Sequence, residues 1–323
     1  MKKRIFFCLL SVLLLISRVN SAEDFIRWVD FDVGLSAMQR ALELDIASQG
    51  EEPPLSWIDL LALAATRCGG GKGITAAQID RAAAALRGGR DPEELLGAQY
   101  PYYSYYREAY HAALGGLVGH YAIQVVHPES GEAEWVPAYG LKAFSPIAAG
   151  YGYSHYDDFG AGRTYGFARR HLGNDLLGAL GTPIVAVEGG TVEALGWNRF
   201  GGWRIGIRSD DRLRYYYYAH LRKDAPYAPG LTEGQRVNAG DVIGFMGRTG
   251  YSARENVNNI ELVHLHFGME LVFDESQKEC DSEIWIDVYH IVQLLSSHRS
   301  SVRFNRESGV WERLYPYRDL DRD

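Results

Sequence analysis

Two histidines stand one residue apart in the segment VHLHF, at positions 264 and 266. Side chains alternate between the two faces of a β-strand, so His264 and His266 project to the same side while apolar residues fill the other. Imidazoles bind zinc and also move protons near neutral pH, so the pair indicates a metal site or a proton-transfer site. Taken alone, the segment also fits a polar stripe on a half-buried strand.

A second polar pair lies upstream, in the segment HLGND. His171 and Asp175 are four residues apart, an even spacing that brings both side chains to one side of an extended segment, and Gly173 permits a close backbone approach. The residues that follow, GTPIVAVEGGTV, predict a buried strand, a glycine turn and another strand. A zinc enzyme needs three protein ligands and an open position for water, so this pair is a candidate companion for the VHLHF histidines.

A fourth histidine, His220, ends the predicted strand RYYYYAHL. Strand alternation predicts that His220 shares a face with Tyr216 and Tyr218 and looks into the same site, with a tyrosine hydroxyl nearby. Packing remains the more common role of a tyrosine in a strand.

Four segments of the chain, in order, closely resemble the lysostaphin/LytM-type zinc metallopeptidases: HLGNDLLGALGTPIVAVEGGTV, YYAHL, GQRVNAGDVIGFMGRTGYS and VHLHFGMEL. The resemblance covers about residues 140–275, and the family cuts crossbridges or stem peptides of bacterial peptidoglycan. It implies a LytM-like β domain (a duplicated hybrid motif), Zn²⁺ as cofactor and peptidoglycan peptides as substrate. Carried onto matching positions, it implies the zinc ligands His171, Asp175 and His266 and the catalytic, non-ligand histidines His264 and His220.

This ligand set predicts the chemistry of the site. Two neutral imidazoles and one carboxylate leave zinc with a net positive charge, which lowers the pKa of bound water toward neutrality. His264 is next to His266 on the same strand face and is the expected general base. His220, with Tyr218, is expected to stabilise the oxyanion, although the two catalytic histidines could exchange roles.

The pattern of residue types along the chain predicts an α+β protein with a helical N-terminal region at 23–122. Residues 123–275 alternate short β-branched and aromatic runs with glycine turns, which predicts an antiparallel all-β metallopeptidase domain. The segment SEIWIDVYHIVQLLSSHR predicts a C-terminal helix within 276–323, followed by a loose, charged tail. A further short helix is predicted to start at Asp91-Pro92.

Residues 1–22 have the three parts of a secretory signal peptide: a basic start, a short apolar run and small residues at the end. The sequence therefore predicts a secreted or cell-wall-associated bacterial protein, with an uncleaved anchor as the alternative. Loss of this segment moves the formal net charge from -8 to -12, because it removes four basic residues and no acids. Such a charge gives no general attraction to nucleic acid, so no nucleic-acid partner is expected.

Cysteine usage is sparse outside the predicted signal. Cys68 and Cys280 could pair in an oxidising compartment, but two distant cysteines form no disulfide framework. Neither has a neighbouring thiol, which argues against a thiolate zinc site.

Several competing functions remain open or are excluded by spacing. A wall-binding or hydrolase-activating module with little catalysis is the main alternative, and a peptidase acting on a non-wall substrate is another. His171 and Asp175 are four residues apart, whereas zinc D-Ala-D-Ala carboxypeptidases have a longer His–Asp spacing in the pattern SxHxxGxAxD. This difference argues against a carboxypeptidase of that type. The segment GQRVNAGDVIGFMG resembles the hairpin of biotinyl or lipoyl carrier domains, which need a modified lysine at the hairpin tip. No lysine lies between Lys223 and Lys278, so a carrier function is excluded.

The segment 142–168 is predicted to be a long loop over the β domain. The family resemblance implies that an upstream residue can occupy the fourth position on zinc, and His155 is the obvious candidate. Asp157 and Asp158 could bind or orient a ligand, although a turn role is more common for such residues.

Overall fold

The computed structural model describes residues 25–87, 91, 102–278 and 282–322. The predicted signal segment at 1–22, most of the predicted helix after Asp91 and Cys280 therefore lie outside the described residues. Cys68 is not paired with any described residue, and because Cys280 lies outside the described residues, the pairing of the two stays a prediction.

Four helices form the described N-terminal region: α1 Leu35–Ala47, α2 Trp57–Cys68, α3 Ala76–Leu86 and α4 Tyr103–Leu114. Their limits follow the expected chemistry. Gly69 ends α2 at φ 74°, a left-handed conformation that glycine adopts without strain. At the start of α3 the side-chain oxygen of Gln78 accepts a hydrogen bond from the Thr75 N–H at 2.6 Å. The predicted helical N-terminal region is confirmed.

The strands, in chain order, are β1 Val118–Val126, β2 Ala133–Leu141, β3 Tyr153–His155, β4 Gly162–Arg163, β5 Arg169–Arg170, β6 Asn174–Gly178, β7 Pro183–Val185, β8 Gly190–Asn198, β9 Gly202–Ser209, β10 Arg214–Ala219, β11 Arg236–Val237, β12 Val242–Phe245, β13 His264–Leu271, β14 Ile284–Ile286, β15 Val302–Phe304, β16 Trp311–Arg313 and β17 Tyr317–Asp319. The main sheet has the order β11-β8-β9-β10-β13-β6-β3, and β14 also pairs with β13. Smaller sheets are β17-β1-β2, β12-β7, β15-β16 and β4-β5. The strands within these sheets pair antiparallel, as predicted for the β domain.

Strand β13 lies inside the main sheet and separates the core from the site. Its residues Leu265, Phe267, Met269 and Leu271 are fully buried in the hydrophobic core. The alternate residues, which begin with His264, therefore face the other side of the sheet. One edge of β13 pairs with β10, and the other is shared by β6 and β14.

The C-terminal region differs from its prediction in two ways. The helix α5 spans only Tyr289–Leu295, because the preceding Ile284–Ile286 adds to the edge of β13 that β6 leaves free. The tail beyond Ser300 is ordered, since β15 and β16 form a hairpin and β17 pairs with β1. Apolar and aromatic residues such as Tyr317, buried against the β domain, account for that order.

The helical region and the main sheet share one hydrophobic core. At their junction, the guanidinium of Arg214 on β10 is fully buried and donates hydrogen bonds to the carbonyls of His111 and Ala112 in α4. It also forms ion pairs with Glu188 and Asp211. In the part of the chain that the structure describes, no helix combines the length and the apolar character that crossing a bilayer requires.

Candidate metal centre and catalytic site

Three ligand-type side chains converge on the face of the main sheet opposite to its core. Asp175 on β6 lies directly opposite His266 on β13, and His171 precedes β6. The three closest atoms are His171 Nε2, Asp175 Oδ1 and His266 Nδ1. The two nitrogens are 2.7 Å apart, and the Asp175 oxygen lies 3.1 Å from His171 and 3.4 Å from His266.

These residues fit a metal ion. Ligand bonds of 2.0–2.2 Å in a tetrahedral arrangement place neighbouring donor atoms about 3.3 Å apart, close to the separations found here. In addition, Asp175 Oδ1 is buried and has no hydrogen-bond partner among the described residues, although buried carboxylate oxygens are normally satisfied. His171, Asp175 and His266, which the resemblance implied as ligands, thus form a group able to hold a metal, called the metal group.

The electrostatics of the three residues depend on burial and on one another. Burial alone would raise the pKa of Asp175, but the neighbouring imidazoles of His171 and His266 hold it well below its usual value. Burial would lower the pKa of His171, but the neighbouring carboxylates of Asp158 and Asp175 raise it to about 9. Burial lowers the pKa of His266. Asp175 is therefore a carboxylate over the whole physiological range, as a metal ligand must be.

Two residues of the 142–168 segment support this group. Asp158 lies beside His171 Nδ1, with its backbone oxygen at 3.1 Å and its carboxylate at 3.3 Å, and so orients the imidazole. Arg163 Nη2 donates to the carboxylates of Asp158 at 2.7 Å and Asp175 at 3.1 Å. The turn role expected for Asp158 gives way to this positioning role. The sequence analysis missed Arg163, because no motif spacing marks a lone arginine in a glycine-rich segment.

His264 and His220 lie beside the metal group, with ring centroids 4.7 Å apart. His264 Nδ1 lies 2.9 Å from the carbonyl oxygen of Leu262, and His220 Nδ1 lies 2.9 Å from that of Thr249. A carbonyl only accepts, so each Nδ1 carries the proton and each Nε2 keeps its lone pair. The His264 Nε2 lies 3.6 Å from Asp175 Oδ1 and therefore faces the metal group. Burial and the neighbouring histidines 264 and 266 hold the pKa of His220 well below its usual value.

The route by which His220 reaches the site differs from the prediction. Tyr218 lies opposite Phe267 in the core, where its hydroxyl accepts from the Val187 N–H, so it is not part of the site. Plain alternation would have sent His220 to that same face. Instead His220 has φ 61°, a left-handed conformation just after β10 that turns its side chain to the face of His266.

The tyrosine on the site face is Tyr217. Its ring contacts His266 edge-on, with centroids 5.8 Å apart, and its hydroxyl accepts a hydrogen bond from the Asn198 side chain. Tyr217 was not predicted, because strand alternation counted back from His220 put Tyr216 and Tyr218 on the site face instead.

His155 does not reach the metal group. It lies on β3 opposite Leu176, a core residue of β6, and its ring packs against Tyr289 at 4.5 Å. Since Leu176 and Asp175 are consecutive, their side chains lie on opposite faces of the sheet. The expectation that His155 could occupy the fourth metal position is therefore wrong.

Gly173 has the role expected of it. A Cβ at this position would lie 2.6 Å from the carbonyl oxygen of Phe267 and 2.8 Å from Cε1 of His266. Only glycine lets the backbone between His171 and Asp175 pass this close to β13.

A cleft of about 140 Å³ opens over the metal group. Part of its wall is aromatic and basic: Phe200 and Tyr251 line the cleft, and the Arg169 guanidinium lies over both rings. Behind this wall, Tyr165 stacks on Tyr251 at 4.9 Å and Phe167 contacts Phe200. This wall and the polar floor form a groove that can receive an extended chain.

The part of the chain that holds this site is similar to known proteins. Residues 169–279 match the model of Peptidase family M23. The chain is 42% identical over 130 residues to an L-Ala--D-Glu endopeptidase of Bacillus subtilis (strain 168), and this match covers 40% of this chain and 38% of that protein. It is 34% identical over 119 residues to lysostaphin of Staphylococcus simulans, covering 36% of this chain and 20% of that protein. The matches thus span well under half the length of these relatives.

The fold has a counterpart among solved structures. A crystal structure from Ruminococcus gnavus ATCC 29149, of a lytM protein assigned as a candidate glycyl-glycine endopeptidase, aligns with 83% of this chain and 89% of its own. The TM-score is 0.53 at 22% sequence identity, so the likeness concerns the fold. The alignment extends well beyond residues 169–279, so a related arrangement of helical and β regions exists outside this protein. The predicted LytM-type resemblance and the α+β fold are confirmed.

Proposed function

Because residues 169–279 match the model of Peptidase family M23, we propose that this protein is a secreted, zinc-dependent endopeptidase that hydrolyses peptide bonds of bacterial cell-wall peptidoglycan. In this proposal residues 123–275 are the catalytic domain, 23–122 are a helical region that packs on it, and 276–323 complete it. The segment 1–22 directs secretion. The substrate class rests on the named activities of the relatives, such as the L-Ala--D-Glu endopeptidase.

One observation carries the proposal. The donor atoms of His171, Asp175 and His266 converge within 3.4 Å of one another, and unprotonated nitrogens of His264 and His220 stand beside them. Two imidazoles and one carboxylate are a ligand set of catalytic zinc sites, which leave a position open. A Zn²⁺ ion held there would supply Lewis acidity and lower the pKa of a bound water.

The chain's own residues then handle the proton and the substrate. His264 Nε2 is the general base that takes a proton from the attacking water and passes it to the leaving amine. The Leu262 carbonyl fixes the tautomer that this step requires. The contact with the Thr249 carbonyl leaves a lone pair on Nε2 of His220 as well. His220 would therefore stabilise an oxyanion only in its protonated form, which burial disfavours. Arg163 and Asp158 hold His171 and Asp175 in place.

The test is digestion of purified peptidoglycan by the mature protein, followed by mass spectrometry of the released peptides. Wild-type protein with stoichiometric zinc should release peptides with new amino and carboxyl termini, and the His264→Ala variant should not. Zinc-loaded protein that binds the wall without cleaving it would overturn the proposal. That result would favour the alternative of a wall-binding or hydrolase-activating module. Cleavage of other proteins but not of wall would indicate a non-wall substrate.

A further inference from the structure

A second cavity, of about 290 Å³, lies on the same face of the main sheet as the metal group. Its lining includes Arg204, Tyr215, Tyr217, Glu270, Glu283 and Trp285. Glu270 is on β13 between Tyr215 of β10 and Trp285 of β14, its direct neighbours across the sheet. None of these residues belongs to the metal group.

The cavity adjoins the metal site. Tyr217 lines both, and its ring packs edge-on against Trp285 with centroids 6.0 Å apart. Trp285 in turn covers Gly268, where a Cβ would meet its ring at 2.9 Å. Glu270 is four residues beyond His266, about 13 Å along the strand at 3.3 Å per residue. A peptide bound at the metal group can therefore place a side chain, two to four residues from the cleaved bond, into this cavity.

Two ionisable side chains of the cavity each have one buried polar atom without a partner. Glu270 is 3% exposed, and its Oε1 has no hydrogen-bond partner among the described residues. Arg204 Nε is likewise buried and has none within the same set. Other polar groups around the cavity have partners within the protein: Lys278 donates to Glu193, and the Trp285 indole donates to Glu283.

A buried polar atom without a hydrogen-bond partner costs free energy, so a fold rarely keeps two of them in one cavity without a use. Burial, reinforced by the charge of Glu283, raises the pKa of Glu270 to about 8. The carboxyl therefore gains from any cation that enters. Arg204 likewise gains from any anion that reaches its Nε.

We propose that this cavity is a subsite that binds a substrate side chain ending in an ammonium group and a carboxylate group. The ammonium pairs with Glu270, the carboxylate pairs with Arg204, and the rings of Tyr215, Tyr217 and Trp285 enclose the aliphatic part. The link between this cavity and cleavage rests on the proposed peptidase function; the binding itself does not.

Cleavage kinetics test the link. Three peptides that differ in one side chain are compared: one ending in an ammonium and a carboxylate, lysine with an ammonium alone, and norleucine with neither. The first should be cleaved with the highest kcat/KM, by about tenfold or more over norleucine, mainly through KM, because charge-assisted hydrogen bonds are the strong ones.

The variants separate the two charges. Glu270→Gln should remove the advantage of both ammonium-bearing peptides, whereas Arg204→Gln should remove only the advantage of the first peptide over lysine. The matched control is Arg236→Gln, an exposed arginine on the edge strand β11 that does not line the cavity and should leave all three values unchanged. Equal cleavage of the three peptides by the wild type would overturn the subsite.

Direct binding separates failure of the subsite from failure of the peptidase function. Free alanine, which carries both charges, is titrated into the wild-type protein while the indole N–H resonance of Trp285 is followed by NMR. The resonance should shift with alanine, less with butylamine, and not with alanine in the Glu270→Gln variant. Binding without wall cleavage would contradict the proposed peptidase function and support the subsite. Wall cleavage with no response of Trp285 to any probe would contradict the subsite alone.

Discussion

Asp175 and His266 lie directly opposite each other on antiparallel strands β6 and β13, with their facing ligand atoms 3.4 Å apart. Directly opposite residues share a face, so the register of one strand pair sets the distance between two of the three ligands. A slip of one residue would turn one of them into the core. The metal group is therefore a property of the sheet, to which His171 is added from the preceding segment.

We first predict unequal effects for the two histidines of VHLHF. His266→Ala should lose the metal, because it removes one of three ligands. His264→Ala should retain the metal and lose turnover by about 100-fold or more, as expected for removal of a general base. Metal analysis of the purified variants and peptide-cleavage rates measure both effects. His127→Ala, at an exposed and remote position, is the control. Equal loss of metal in the first two variants would contradict the assignment.

Gly173→Ala should weaken metal binding without unfolding the protein. The added methyl group would collide with the Phe267 carbonyl and with the ring of His266, so the imidazole must move away from Asp175. Competition with a chelator measures the affinity, and a fall of about tenfold or more is expected for a displaced ligand. Gly152→Ala serves as the control, since a Cβ there meets no atom within 4 Å. Unchanged affinity in Gly173→Ala would show that the close approach is not required.

Glu270→Gln should raise stability at high pH only. The pKa of Glu270 is raised to about 8 in the folded protein, above the ordinary 4.5. The stability that its protonated form contributes is therefore complete below pH 4.5 and is lost as the pH rises through about 8. The melting temperature of Glu270→Gln should exceed that of the wild type by a few degrees at pH 9, and the gap should close toward pH 5. The exposed control Glu307→Gln should show no such trend. A gap that does not change with pH would contradict the prediction.

Arg214→Ala should destabilise the protein strongly. Arg214 is completely buried and bridges Glu188 and Asp211 on the sheet side to two carbonyls of α4, so its loss leaves buried charge and carbonyls unpaired. The expected cost is about 3–5 kcal/mol in the free energy of unfolding, measured by denaturant titration. The exposed pair of Arg236 and Asp210 is the comparison, where Arg236→Ala should cost less than about 1 kcal/mol. Similar costs in the two variants would show that burial of Arg214 does not matter.

Local patterns in the sequence were sufficient for the scaffold and for most of the candidate site. His264 and His266 lie on one face of β13 because side-chain direction alternates from one strand residue to the next, which is a local property of the chain. The spacing of His171 and Asp175, with Gly173 between them, is likewise local. Helix limits were also within reach, since caps such as Gly69 depend on residues close in the chain.

Other features were decided only by the tertiary structure. The left-handed backbone at His220 places that ring in the site against the strand alternation, and Arg163 reaches Asp175 from a separate short strand. The cavity of Glu270 and Arg204 is lined by residues of β8, β9, β10, β13 and β14, and β14 exists because β6 leaves part of β13 unpaired. The physical reason is shared by all of them. Backbone conformation after a strand and pairing between distant segments follow from the free energy of the assembled fold, which no short stretch of residues contains.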